Sequence, residues 1–252
     1  MTRRAEIEDL LEAVAAGGVT VAEATERLSE LPFRALGFAN VDTHRELRQG
    51  GPEVILGEGK TIEQVVAIAR ALDDAGASST LVTRASPEMR AAVRAALPDA
   101  EEHELARAVW VRRTLPEPRG LVVIVSGGTA DGPVVHEARI RAELLGTTVI
   151  VHEDAGVAGI HRLAAAQPDI ARADCVVVVA GMDGALASIV GGLAACPVIG
   201  VPTSVGYGSA HGGTTALNAM LASCADGLAV VGIDDGLGAG TVAARIARGA
   251  PR

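Results

Sequence analysis

The spacing of apolar residues becomes regular after about residue 120. Five short runs rich in valine and isoleucine follow one another: Leu121–Ser126, Thr148–His152, Cys175–Ala180, Val198–Val201 and Leu228–Ile233. Stretches of roughly 10 to 20 residues with helical periodicity separate them. This alternation predicts a parallel sheet with right-handed crossovers and helices on both faces.

The first 30 residues predict a helical hairpin. Amphipathic patterns cover residues 5–16 and 20–30, and Gly17 follows the first of them. Thr20 is expected to cap the second helix, with Glu23 completing a capping box.

The next segment predicts a small α/β lobe. Helices are expected over residues 61–76 and 86–97, and strands over Ser79–Thr83 and Ala108–Arg112. The mixed polarity of Pro32–Lys60 is typical of a surface loop with short strands.

A linker is expected at Pro116-Glu117-Pro118, because proline disfavours both a helix interior and a central strand. We therefore predict two domains, residues 1–115 and 116–252.

Composition narrows the classes of function. Apolar residues make up 49% of the chain and aromatic residues only 2%, which favours a core of Val, Ala, Leu and Ile. The net charge of −9 and the pI of about 5.2 argue against a nucleic-acid partner.

The chain contains no apolar run of about 18 residues and no signal-peptide pattern, so we expect a cytoplasmic protein that makes no membrane contact. The cysteines lack metal or disulfide spacing, and Cys175 and Cys196 are expected to be buried.

Candidate chemistry lies at the carboxyl ends of the predicted strands, where parallel sheets bind their ligands. The loop after the first strand of the second domain offers five nucleotide-binding candidates: Ser126, Gly127, Gly128, Thr129 and Asp131. Glycines there allow a ligand to approach the backbone, and helix amides can hold a phosphate. An ordinary turn, with Asp131 as a helix cap, explains the same residues.

The other strand ends add further candidates. Arg162 and His161 could bind a phosphate or carboxylate, or form part of a capped helix start. Asp183 is either a helix cap or a catalytic carboxylate. The loop with Tyr207 is interpreted as a substrate cover or a structural turn, and Gly236–Gly240 as a tight turn. Cys224, taken alone, is more typical of a buried structural residue than of a nucleophile.

Taken together, the motifs resemble the LarB family, which begins synthesis of the nickel-pincer nucleotide cofactor of lactate racemase. The resemblance rests on these segments: Asp42–Arg45, Gly57–Lys60, Ser126–Asp131, Asp154–Arg162, Gly181–Leu186, Pro202–Gly208 and Gly212–Leu217. The second half also resembles PurE, the aminoimidazole ribonucleotide carboxylase/mutase. This implies a flavodoxin-like three-layer α/β domain that assembles as a homo-octamer. Where the purine enzyme carries a catalytic histidine, this sequence has Ala185.

The resemblance implies a two-part reaction. Nicotinic acid adenine dinucleotide is carboxylated at C5 of its pyridinium ring by CO2 or bicarbonate, and its phosphoanhydride is hydrolysed to release AMP. By family analogy Cys224 attacks the ring, and Asp183 is our candidate base. Substrate contacts are expected from the first loop and from His161, Arg162, Gly181, Met182, Thr203, Ser204, Tyr207 and Gly213.

Several points stay open at this stage. The cation that the reaction needs is Arg162, Lys60 or Mg²⁺, and the metal ligands are unknown; a contribution of His44 or Arg45 is equally open. A PurE-type carboxylase acting on an aminoimidazole ribonucleotide is one alternative. A non-catalytic nucleotide-binding regulator, in which Cys224 is a core residue, is the other.

Overall fold

The computed structural model describes residues 3–29 and 33–249, and the chain divides into two compact units between Leu115 and Pro116. In the first unit, α1 spans Arg3–Ala15 and α2 spans Val21–Ser29. The carboxylate of Glu23 accepts the N–H of Thr20 at 2.9 Å, and the Thr20 hydroxyl accepts the N–H of Glu23 at 3.2 Å. The predicted capping box is confirmed; residue 30 lies outside the described residues.

The remainder of the first unit is an α/β layer. Its elements are β1 (Arg34–Ala35), β2 (Asn40–Val41), α3 (Arg45–Gln49), β3 (Val54–Leu56), α4 (Ile62–Asp74), β4 (Ser79–Thr83), α5 (Pro87–Ala96), β5 (Glu101–His103) and β6 (Ala108–Arg112). Four strands form a sheet in the order β3-β4-β6-β5, in which β3 and β4 are parallel. The short strands expected before Lys60 are present as β1, β2 and β3, whereas α3 was not predicted and Ile55 of β3 is buried in the core rather than at the surface.

The second unit contains a five-stranded parallel sheet. Its elements are β7 (Leu121–Ser126), α6 (Gly132–Leu144), β8 (Thr148–His152), α7 (Gln167–Arg172), β9 (Cys175–Ala180), α8 (Ala185–Leu193), β10 (Val198–Pro202), α9 (Thr214–Leu221), β11 (Leu228–Val230) and α10 (Gly236–Ala247). The strand order is β11-β10-β9-β7-β8. If the five strands β7 to β11 are numbered 1 to 5 and the order is taken from the β8 edge, it is 2-1-3-4-5. This is the flavodoxin-like order.

Helices cover both faces of this sheet because its strands are apolar on both sides. Val123 and Val176 face a core that includes residues of α7, α8 and α9. Val122 and Val177 face the opposite core, against α6 and α10. The predicted three-layer α/β architecture is therefore confirmed.

The last two elements differ from their predictions. β11 ends at Val230 rather than at residue 233, and Gly236–Gly240 opens α10 instead of forming a separate turn. A Cβ atom at Gly236 or Gly240 would collide with the backbone oxygens of Val134 or Ala138 on α6. These glycines therefore permit close helix packing, which the periodicity of the sequence alone did not reveal. No helix among the described residues is long and apolar enough to cross a membrane.

Candidate active site

A pocket of about 720 Å³ opens at the carboxyl ends of β7, β8, β9 and β10. These strands include the point where the chain order reverses, between β7 and β9, which is where doubly wound sheets bind ligands. Among the described residues that line the pocket, Arg162 is the only cation, Asp131 and Asp183 are the only carboxylates, and there is no histidine.

Asp131 forms part of the pocket wall next to β7. Its carboxylate accepts the N–H of Gly128 at 2.9 Å and the hydroxyl of Thr203 at 2.7 Å. Burial raises the pKa of Asp131 and the charge of Asp234 adds to this, while the two hydrogen bonds act in the opposite direction. Its side chain does not cap α6, and the bond from Gly128 instead closes the short 3-10 turn Thr129–Asp131.

Arg162 approaches the pocket from the segment after β8. Its guanidinium pairs with Asp154 at 2.7 Å and donates to the carbonyl of Gly156 at 3.4 Å. A Cβ atom at Gly159 would lie 2.9 Å from Arg162 Nε, and one at Gly156 would collide with the Gly127 carbonyl. The two glycines thus leave room for the guanidinium and let the loops after β7 and β8 meet.

The turn after β9 contributes Met182 and Asp183. Met182 has a positive φ of 53°, and its N–H donates to the Val205 carbonyl at 3.1 Å. Asp183 is exposed, and its carboxylate accepts the N–H of Ala185 at 3.2 Å, at the start of α8. The residue that caps α8 is Gly184, so this contact belongs to the turn before the helix, and the Asp183 side chain is exposed at the pocket wall.

The segment after β10 completes the pocket with Tyr207, of which 77% is exposed. The Ser209 carbonyl accepts the Thr215 hydroxyl, which ties this segment to the start of α9. Gly206 is needed for the compact loop, since a Cβ there would lie 2.6 Å from the Ala210 carbonyl.

The structure gathers eight predicted residues around the pocket: Gly127, Gly128, Asp131, Arg162, Gly181, Met182, Asp183 and Tyr207. Six other predicted contacts do not line it: Ser126, Thr129, His161, Thr203, Ser204 and Gly213. Ser126 and Thr203 are buried and position loops, because Ser126 accepts the N–H of Asp154 and Thr203 donates to Asp131. The Ser204 N–H donates to Asp234 at 2.8 Å.

The apolar part of the pocket wall was missed by the sequence reasoning. Val157, Leu186, Val205 and Ala210 line it. Val157, Leu186 and Val205 belong to the glycine-containing segments named above, and Ala210 lies between two of those segments. Proximity to those glycines was therefore the available signal.

Cys224 lies in the loop between α9 and β11, and its side chain is exposed. The hydroxyls of Ser188 on α8 and Ser223 are 2.8 Å apart, which places this loop beside the first turns of α8. Cys224 does not line the pocket of its own chain, although Ala185 at the start of α8 does. By contrast Cys175 is buried, as predicted, and burial raises the pKa of its thiol to about 12.

The candidates in the first unit make local contacts. Lys60 donates to the Leu56 carbonyl at 3.0 Å, and Arg45 donates to the Gln49 side chain at 3.3 Å. The N–H of His44 donates to Asp42, whose carboxylate also pairs with Arg48 at 2.6 Å.

A resident metal site does not fit the side chains described. Among residues 3–29 and 33–249, no three or more His, Cys, Asp and Glu side chains are grouped to hold an ion. Asp131 and Asp183 alone suit only Mg²⁺ that arrives with phosphates and keeps most of its water ligands.

The fold and pocket define a flavodoxin-like α/β domain with a ligand pocket at the carboxyl ends of its strands, and two family models match the chain. Residues 33–113 match the LarB/PurE-like N-terminal domain, and residues 121–250 match the AIR carboxylase domain. An uncharacterized protein of Methanocaldococcus jannaschii is 34% identical over 259 residues, covering 96% of this chain and 97% of its own. The chain therefore belongs to the LarB family, with a PurE-like carboxylase domain as its second unit.

Two solved structures are similar to part of the chain. Treponema denticola PurE is 21% identical, covers 52% of this chain and 80% of its own, and has a TM-score of 0.40. A variant of Treponema denticola PurE2 is 17% identical, with coverages of 49% and 76% and a TM-score of 0.38.

Proposed function

We propose that this protein carboxylates nicotinic acid adenine dinucleotide at C5 of the pyridinium ring and hydrolyses its phosphoanhydride. The products are AMP and pyridinium-3,5-biscarboxylic acid mononucleotide, a precursor of the nickel-pincer cofactor. The observation that carries the proposal is a pocket with one guanidinium and two carboxylates but no histidine among its described lining residues, in a chain of the LarB family.

The proposed chemistry begins with a nucleophile, because a pyridinium ring is too electron-poor to attack CO2. The Cys224 thiolate adds to C4 and gives a neutral dihydropyridine whose C5 is an enamine carbon. C5 then forms a bond to CO2, and the ring nitrogen becomes an iminium. Loss of the C5 proton restores the enamine, and departure of the thiolate from C4 restores the pyridinium. No oxidant or reductant is consumed.

Asp183 is the proposed base for the C5 proton. Its carboxylate is exposed at the pocket wall, and the single hydrogen bond from Ala185 leaves its other oxygen available to accept a proton. An aspartate in this role contributes about 10²- to 10⁴-fold to the rate.

Arg162 is the proposed cation for phosphoanhydride cleavage. Its guanidinium lies at the pocket, and the pair with Asp154 orients it before a ligand binds. Mg²⁺ is kept in the proposal only as a counter-ion that accompanies the dinucleotide phosphates.

The proposed reaction requires a homo-oligomer, because Cys224 does not line the pocket of its own chain and the thiol must reach the ring from another copy. α8 and α9 end in exposed leucines, Leu193 and Leu221, and exposed apolar residues of this kind suit an interface between copies. We expect a neighbouring copy to supply the thiol. Mixed oligomers of Cys224→Ala and Asp183→Asn chains should then regain activity that neither variant has alone, whereas inactive mixtures would place both groups in one chain.

Incubation with labelled bicarbonate tests the reaction itself. Label should enter a pyridinium mononucleotide when nicotinic acid adenine dinucleotide is supplied, with release of AMP. Label retained in an aminoimidazole ribonucleotide would instead establish PurE chemistry, against which the residue Ala185 at the pocket wall argues. Binding of the dinucleotide without any turnover would indicate a regulator.

A further inference from the structure

The two ends of the pocket have different chemistry. Arg162 lies on the segment after β8, whereas Met182, Asp183 and Tyr207 follow β9 and β10. The strand order places β10 three intervals and β9 two intervals from β8, which corresponds to about 14 Å and about 10 Å between these strands. Asp131, the other lining carboxylate, follows β7 and is already hydrogen-bonded to Gly128 and Thr203. Arg162 therefore favours an anion at one end, and the exposed Asp183 favours a cation at the other.

The cation-favouring end is held in place by contacts between the two loops. The Met182 N–H donates to the Val205 carbonyl at 3.1 Å, two residues before Tyr207. A Cβ atom at Gly181 would collide with the same carbonyl, so the approach of the loops requires glycine there. Met182 takes a positive φ of 53° at this point, and 38% of it remains exposed at the pocket.

Tyr207 is the only aromatic residue among the described residues that line the pocket. The face of an aromatic ring attracts a cation, and a methionine thioether makes favourable contacts with aromatic rings. Asp183 adds a negative charge beside them. Arg162, the one cation among the described lining residues, follows β8 and is already paired with Asp154 at 2.7 Å.

We propose that Tyr207, Met182 and Asp183 form a subsite that binds the oxidised, cationic pyridinium ring in preference to the neutral dihydropyridine ring. This inference rests on the proposed function, whose substrate carries such a ring. The ring then lies at the end of the pocket formed by the start of α8, where Ala185 lines the wall. The phosphates extend toward Arg162.

The subsite acts on binding more than on the chemical step. Thiolate addition removes the positive charge of the ring, so the attraction to Tyr207 is present in the substrate complex and absent in the neutral adduct. Loss of Tyr207 should accordingly raise KM for the dinucleotide without lowering kcat. A purely structural role for Tyr207 would lower both kcat and the affinity for every ligand.

Binding measurements without bicarbonate test the selection directly. Isothermal titration would compare nicotinic acid adenine dinucleotide with its reduced dihydropyridine form. We expect the wild type to favour the oxidised form by about 3- to 30-fold, the range of a cation–aromatic contact. Tyr207→Phe should keep this preference, and Tyr207→Leu should reduce it to the part that the charge of Asp183 still supplies.

Affinity for the reduced form serves as the folding control and should be equal in wild type and Tyr207→Leu. Equal binding of both forms by the wild type, or an unchanged preference in Tyr207→Leu, would overturn the inference. If the protein carboxylates the dinucleotide but binds its oxidised and reduced forms equally, the subsite is refuted and the proposed reaction stands. If it prefers the oxidised form but does not carboxylate it, the proposed reaction is refuted and the subsite stands. Failure of both forms to bind would refute both.

Discussion

Thr203 and Asp131 are joined by a hydrogen bond of 2.7 Å that spans the sheet from the end of β10 to the loop after β7. The intervening strand is β9. Both residues are buried, with 0% and 3% of their surface exposed, although Asp131 still lines the pocket. The pocket wall therefore includes a carboxylate that is fixed from two directions, by Thr203 and by the N–H of Gly128.

This arrangement predicts a pH-dependent stability. Burial raises the pKa of Asp131 above the ordinary value of about 3.9. A group of this kind contributes stability that is complete below its unfolded pKa and is lost as the pH rises through its folded pKa. The difference in unfolding free energy between wild type and Asp131→Asn should therefore fall as the pH rises from about 4, as measured by urea denaturation at a series of pH values.

Thr203→Val provides the companion experiment. The Thr203 hydrogen bond lowers the pKa of Asp131, so its removal should move the loss of stability to higher pH. A difference between wild type and Asp131→Asn that stays constant with pH would show that Asp131 keeps an ordinary pKa.

Alanine at Gly156 should lower stability, whereas alanine at Gly128 should lower dinucleotide affinity. A Cβ atom at Gly156 would collide with the Gly127 carbonyl, whereas one at Gly128 would meet nothing within 4 Å. We expect Gly156→Ala to lower the unfolding free energy by about 1 to 3 kcal/mol. Gly128→Ala should change it by less than about 0.5 kcal/mol yet weaken dinucleotide binding, because its methyl group would enter the pocket.

Chemical denaturation and ligand titration of the same two variants give the measurement. Equal stability of Gly156→Ala and wild type would mean that the loops after β7 and β8 do not need to approach each other as closely as described.

The sequence predicted those elements of the fold that depend on residues close together in the chain, such as apolar strands and helix caps. Apolar strands such as Cys175–Ala180 and the capping box at Thr20 depend on residues near in sequence, and the structure agrees with both. Gly236–Gly240 was interpreted wrongly because its glycines serve contacts with α6, a helix about 100 residues earlier, as the Leu237–Glu137 hydrogen bond also illustrates.

The same distinction applies to the site. Residues whose backbone forms the strand-end turns, such as Gly127 and Gly181, could be placed at the pocket from their motifs. Burial of Thr203 could not, because it depends on Asp131, 72 residues away in the chain. Exposure of Cys224 also escaped local reasoning, since an apolar neighbourhood in sequence does not determine which side of a loop faces solvent.

Arg162→Ala should weaken dinucleotide binding by roughly 10- to 100-fold, the cost of losing a hydrogen bond from a charged group. Arg162→Lys should recover part of the affinity, because lysine keeps the charge but loses the planar guanidinium. Arg172→Ala is the matched control, since Arg172 is exposed, pairs with Asp169 at 2.7 Å and does not line the pocket.

Titration of the three variants with the dinucleotide gives the dissociation constants. If Arg162→Ala binds the dinucleotide as tightly as the wild type, Arg162 does not contact its phosphates. If Arg172→Ala loses as much affinity as Arg162→Ala, the loss reflects the change in net charge and not a specific contact.

Cys224 gives the sharpest test of covalent carboxylation. Cys224→Ala should abolish label incorporation from bicarbonate while dinucleotide binding is retained, because the thiol is exposed and contributes no lining to the pocket of its own chain. Mass spectrometry of the wild type, trapped with dinucleotide in the absence of bicarbonate, should show one added dinucleotide on the peptide that contains Cys224. Cys196→Ala is the control, because burial raises the pKa of the Cys196 thiol and disfavours the nucleophilic thiolate. If Cys224→Ala still incorporates label at the wild-type rate, the ring is activated without addition of the Cys224 sulfur, and the covalent route is excluded.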